Sequence, residues 1–212
     1  AATYATVKHY LKAIQAAMNS GAEVVYFPSG RYRISDAIDV PASVRRIEGL
    51  YSAIRVLPRR AERFTRETGM LRVTTGGEPL TIDRLAFDNM EQGPQAGVEQ
   101  SGSRTLVLRD VISGGVEAVR RTASGGPVFL ENSCCGGMHL EGSQGVWARQ
   151  FNTEGTGVRV RNDGAPLWIL GLKTEQNCTV VENVRGARTE IVGGLLYLVM
   201  PPNAPLPAFV VN

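Results

Sequence analysis

Hydrophobic and polar positions alternate along most of this chain, and the alternation itself repeats. Five segments can be set beneath one another: Leu80-Thr-Ile-Asp83, Leu106-Val-Leu-Arg109, Val128-Phe-Leu-Glu131, Val146-Trp-Ala-Arg149 and Leu167-Trp-Ile-Leu170. Thr189-Glu-Ile-Val192 is a looser sixth copy. Their second residues, Thr81, Val107, Phe129, Trp147, Trp168 and Glu190, are 26, 22, 18, 21 and 22 residues apart. A recurring step of this size marks one supersecondary unit stacked on itself. A second strand follows in the later copies: Val116-Glu-Ala-Val119, Met138-His-Leu-Glu141, Val158-Arg-Val-Arg161 and Thr179-Val-Val-Glu182. Gly115, Gly137 and Gly157 directly precede three of these, as tight corners require. Each copy therefore reads strand, corner, strand, loop. Such units bury their apolar faces by winding into a parallel β-helix, an all-β solenoid.

Stacking sorts the alternating side chains into columns about 4.8 Å apart. Ile82, Leu108, Leu130, Ala148 and Ile169 are expected to point inward. Asp83, Arg109, Glu131 and Arg149 are expected to point outward with alternating sign. Glu141, Arg161 and Glu182 are expected to do so on the second sheet, and His139 to share a column with Glu117 and Arg159. Opposite charges on neighbouring strands attract, so these ladders have a structural explanation.

The N-terminal part differs. Val7, Tyr10, Leu11, Ile14, Ala17 and Met18 fall on one face of a helix over 6–20, stopped by Ser20-Gly21. The division expected is a capping helix over 1–20 and β-helix coils over 21–212. Residues 58–68 are highly charged and aperiodic and read as a surface excursion.

Composition narrows the function classes. The net charge of +3, from 23 basic and 20 acidic residues, and the lack of a basic run interleaved with aromatics argue against nucleic acid. No apolar run is long enough to cross a membrane. The three cysteines show neither zinc spacing nor a disulfide framework. Buried small apolar side chains are their expected role, with a bridge from Cys178 to Cys134 or Cys135 as the alternative. Asn177-Cys178-Thr179 fits a glycosylation sequon, relevant only in a eukaryotic secretory host. The two histidines, His9 and His139, are too far apart for a His-based triad or metal site. No cofactor and no metal are expected.

Val24-Val-Tyr-Phe-Pro-Ser-Gly-Arg-Tyr-Arg-Ile34, after a short helix and before Val40-Pro41 and Val44-Arg-Arg-Ile-Glu-Gly49, resembles the pectate-lyase-like right-handed parallel β-helix superfamily. Within it the chain is most similar to the group containing the two-helix exo-β-1,3-glucanases. The match covers residues 7–54, and Trp168–Glu175 and Thr189–Gly194 look like late coils of the same group. The resemblance implies a right-handed β-helix, a helix capping its open end, a secreted or cell-surface location, and a polysaccharide as substrate or ligand. Two family features are missing: the acidic run before the first helix, and the paired aspartates and Gly-His of polygalacturonases. The final Phe209-Val-Val-Asn212 reads as a strand with no cap after it, which is expected of a piece of a larger protein or of a covered end.

Two constellations carry candidate chemistry. Phe129, Trp147 and Trp168 should form an outward aromatic column on three successive coils. It reads either as a platform for stacking sugar rings or as a packing face for a second β-helix or another copy of the chain. Glu154 and Glu175 occupy matching positions on adjacent coils, with Asn152 and Lys173 matching two residues earlier. Two carboxylates one strand spacing apart should raise one pKa, which suits the general acid of a glycoside hydrolase. The plainer alternative pairs these glutamates with Lys173 and Arg149 on the surface. A polysaccharide lyase using Lys173 or Arg149 as base ranks second. The expected function is a carbohydrate-active domain, with catalytic candidates Glu154, Glu175 and Lys173 and substrate-binding candidates Phe129, Trp147, Trp168 and Arg149. The alternative is a non-catalytic assembly module.

Overall fold

The computed structural model describes residues 4–56, 69–89, 95–199 and 204–212, with backbone alone for 4–9. The charged segment 58–68 lies outside the described residues. One helix, Tyr4–Met18, precedes a succession of strands. These strands form a ten-stranded and an eight-stranded sheet, and the pairings among the described residues are parallel. The chain is a parallel β-solenoid of about 7 turns.

The register joins the expected copies residue for residue. Leu130 pairs with Leu108 and Ala148, and Ala148 with Ile169. Ile82, Leu108, Leu130, Ala148 and Ile169 are all buried in one continuous apolar core. Their outward neighbours follow the charge ladder. Glu131 lies between Arg109 and Arg149 and pairs with both. Asp83 belongs to the same column yet is buried, because the Arg46 guanidinium covers it at 2.6 Å.

On the second sheet the expected columns slip, by three residues between the first and second copies and by two between the second and third. Met138 pairs with Val160, so His139 lies between Arg120 and Arg161, not between Glu117 and Arg159. Glu141 faces Asp163, and Arg161 alone pairs with Glu182. The two-residue slip leaves inside and outside unchanged, so alternation could not reveal it; the three-residue slip is absorbed where Ala118 and Val119 are buried in succession.

Each turn also contains a corner that alternation hides. Tyr51, Arg84, Asp110, Asn132 and Gln150 have positive φ, as do Gly171 and Gly193, and the strand register stacks all seven. One left-handed residue bends each long strand and puts two consecutive side chains outside. Thus Ala148 faces in, Arg149 and Gln150 face out, and Phe151 faces in again. The large sheet is two faces joined at this corner. Each complete turn therefore has three strands, where two were expected.

The helix covers the first turn. Its buried stripe is narrower than the sequence pattern: Ile14 and Met18 are buried and Leu11 packs against the core, while Tyr10 and Ala17 are exposed. Gln15 completes the cap by backbone mimicry. Its amide donates to the Asp39 carbonyl and its Oε1 accepts from the Asp39 N–H, both at 3.0 Å. The edge strand Ile38–Asp39 thereby gains a partner that no further strand among the described residues supplies. At the other end Phe209–Val211 pairs with Cys178–Val184. Phe209, Val211, Leu195, Leu198 and Val199 are exposed there.

Candidate functional site

The site lies just past the left-handed corner of the two adjacent strands Val146–Asn152 and Pro166–Thr174. Asn152 pairs with Lys173, and the next outward positions are Glu154 and Glu175. Thr153 and Thr174 turn inward and are buried, which drives the flanking side chains outward. Lys173 stands between the carboxylates. Its Nζ donates to Glu154 Oε1 at 2.6 Å and also to Glu175. Asn152 donates to the same Glu154 oxygen at 2.9 Å. The Tyr197 hydroxyl donates to Glu175.

This geometry reverses the expected titration. The hydrogen bond from Lys173 holds Glu154 below the usual carboxylate range, helped by Asn152. The Lys173 and Tyr197 donors do the same for Glu175. Neither carboxyl is raised, because an ammonium lies between them and outweighs their mutual repulsion. Desolvation pulls Lys173 down, but its two carboxylate partners outweigh it and raise its pKa to about 12. Lys173 is therefore a cation at neutral pH and not a base. Arg149, expected beside these glutamates, pairs with Glu131 instead.

Phe129, Trp147 and Trp168 do lie on successive coils, at 40%, 38% and 39% exposure. They stack on one another. Ring centroids are 4.7 and 5.2 Å apart with interplanar angles of 10° and 8°. Both faces of Trp147 are consequently occupied, and the ladder presents ring edges to solvent, not the three open faces of a sugar platform. Only the end rings, beside Val107 and Glu190, have an outer face. Gly145 makes this packing possible: a Cβ there would come within 2.3 Å of the Trp147 ring.

Between the ladder and the carboxylates lies a shallow groove at the corner, lined by Arg149, Gln150, Leu170, Gly171 and Val192. Its floor is the left-handed column itself. No alternation signal marks that column, so the sequence pattern did not single out Gln150, Leu170, Gly171 or Val192.

Two of the three cysteines depart from expectation. Cys134 and Cys135 form a disulfide with each other and are half-buried, while Cys178 is buried and unbridged. The pair adjoins the carboxylate cluster: Asn152 Nδ2 lies 3.4 Å from Cys134 Sγ, and the Glu154 N–H donates to the Cys135 carbonyl at 3.3 Å. The two cysteine sulfurs and a Glu154 oxygen lie within 4.8 Å of one another. Adjacent cysteines and a glutamate 19 residues on have no recognisable ligand spacing. Winding, not sequence proximity, brings them together. His139 Nδ1 accepts from the Arg120 guanidinium at 3.0 Å, on the eight-stranded sheet.

No family model matches the chain, and no curated protein does. Among solved structures, the crystal structure of "a putative glycosyl hydrolase from Parabacteroides merdae ATCC 43184" aligns over 96% of this chain and 87% of its own, at 9% identity and a TM-score of 0.26. A superposition that loose says nothing about chemistry.

Proposed function

We propose that this chain is a carbohydrate-active β-helix domain that binds an extracellular polysaccharide across the corner groove and cleaves it hydrolytically with Glu154 and Glu175. The observation that carries this reading is the pair of ionised carboxylates set around one ammonium beside an open apolar groove. Sugars present hydroxyl donors and acceptors around flat apolar patches. Glu154 and Glu175 would accept from hydroxyls, Lys173 and Asn152 would donate, and Leu170 and Val192 would receive an apolar ring face. Trp168 contributes its outer face and edge at the groove's rim.

The two carboxylate oxygens bonded to one Nζ lie within roughly 5 Å of each other. This is close to the separation of about 5–5.5 Å used by retaining glycosidases. As found, both are ionised and neither can donate a proton. Substrate hydroxyls that draw Lys173 out of the bridge would leave two facing carboxylates, and their repulsion would then raise one into the range of a general acid. The lyase reading is less well supported: Lys173 is held protonated between two carboxylates, and Arg149 is ion-paired with Glu131.

Reducing ends released from a panel of β-glucans and pectins are the direct test. Turnover that disappears in Glu175→Gln and Glu154→Gln supports hydrolysis. Binding without turnover reduces the reading to a carbohydrate-binding domain. Neither on any panel member overturns it. The exposed apolar side chains of the last turn favour a second reading, an assembly module that packs against another β-helix or another copy. Light scattering of the isolated chain decides that case, since a strict monomer at all concentrations excludes self-association.

A further inference from the structure

The Cys134–Cys135 disulfide closes no loop, because its residues are adjacent. Cross-links stabilise chiefly by restricting long loops of the unfolded chain, so this one contributes little to the fold. Its effect is local, at the edge of the Glu154 cluster. There the backbone is held from three sides. The Cys134 N–H donates to Val111 at 2.9 Å, and the Cys135 N–H donates to Asn152 at 2.9 Å. Arg159 donates to the Cys135 carbonyl at 3.1 Å.

We propose that Cys134, Cys135 and Glu154 form a three-ligand site for a thiophilic divalent cation such as Zn²⁺, closed by the disulfide and opened by its reduction. The disulfide shows that both sulfurs face the same side. Two thiolates on a tetrahedral zinc, each at about 2.3 Å, lie about 3.8 Å apart. Opening the S–S bond lets the sulfurs separate by that amount inside a cluster already within 4.8 Å. A Glu154 carboxylate oxygen is within reach as the third ligand, which would leave a fourth position for water. Two sulfurs and one oxygen suit zinc better than calcium or magnesium, which take oxygen alone.

The chemistry balances simply. A phosphine takes up the oxygen of one water and delivers two electrons to the S–S bond, and that water's two protons complete the two thiols. Binding of the cation then releases two thiol protons to solvent. Glu154 must turn from Lys173 toward the metal, leaving Lys173 on Glu175 alone. The proposal does not depend on the carbohydrate reading.

The test uses the whole chain in a Cys178→Ala background, reduced with a phosphine that does not chelate zinc. Co²⁺ is the optical probe, and bound Co²⁺ is then displaced by Zn²⁺. The expected result is thiolate-to-cobalt charge-transfer absorption at one equivalent, absent in the oxidised chain and in Cys134→Ser and Cys135→Ser. Glu154→Gln should keep the fold and weaken binding by about ten-fold or more. Circular dichroism confirms that each variant is folded. A folded, reduced chain without that absorption overturns the proposal, as does binding unchanged by either cysteine substitution. Equal binding by the oxidised chain overturns the redox closure.

Discussion

At the scale of single residues, Lys173 controls the carboxylate pair. Replacing it with Met leaves Glu154 and Glu175 facing each other without a cation, so at least one carboxyl should titrate higher than in the parent chain. Carboxyl infrared bands or carbon NMR across an acid titration would register this, and unchanged midpoints would refute it. The sign for stability follows from linkage. Both folded carboxyls lie below the unfolded value of about 4.3. Their stabilising share is present in full above that value and is lost as pH falls through the folded values. Melting temperature should therefore drop on the acid side of about pH 4, and Lys173→Met should flatten that limb. His139 adds a second window. Burial, then the Arg120 charge, lowers its pKa. The unfolded ring takes a proton near pH 6.5 while the folded ring stays neutral, so stability also falls as pH drops below about 6.5. His139→Gln should abolish only this higher window.

At the scale of elements, the stacked ladder and the buried arginines link one turn to the next. Trp147 is stacked on both sides, so Trp147→Ala should cost about 1–3 kcal/mol from the two ring contacts alone. Phe129→Ala breaks one contact and should cost less. Gly145→Ala should tilt Trp147 out of register and shift tryptophan fluorescence, because the three nearest atoms to the new methyl all belong to that ring. Arg121 is fully buried and donates to the carbonyls of Glu141, Gln144 and Gly142 on the next turn. Burial lowers its pKa to about 10, which still leaves it charged at neutral pH. Arg104 ties Glu78, Pro41 and Val44 of earlier turns in the same way. Arg121→Met strands three carbonyls and should cost about 3 kcal/mol or more, measured by urea unfolding. These staples were illegible in the sequence, where both arginines look like ordinary surface cations.

At the scale of the whole molecule, the solenoid has one end covered by a helix and apolar side chains exposed at the other. Gln15 gives the first turn the hydrogen bonds of a missing strand. The edge of Phe209–Val211 has no such substitute among the described residues. Parallel edges with apolar flanks pair with other strands. The isolated chain should therefore show concentration-dependent association by light scattering. Charged substitutions at Val211 and Leu195 should reduce it, while Trp147→Ala should leave it unchanged if the end and not the ladder is responsible.

The repeating alternation by itself determined the solenoid, its core column and the outward charge ladder. The reason is that alternation reports inside from outside, and the first-strand copies aligned without gaps. The same signal brought Glu154 beside Glu175 and placed Phe129, Trp147 and Trp168 on successive turns. It is blind to shifts of two residues and was broken by the consecutively buried Ala118 and Val119, so the Glu141 and His139 columns came from the fold alone. It is equally blind to a single left-handed residue, which hid the third face and the groove. Side-chain direction settled the rest. Only the tertiary structure stacked the rings face to face, put Lys173 between the carboxylates, and brought the adjacent cysteines to Glu154 of the following turn.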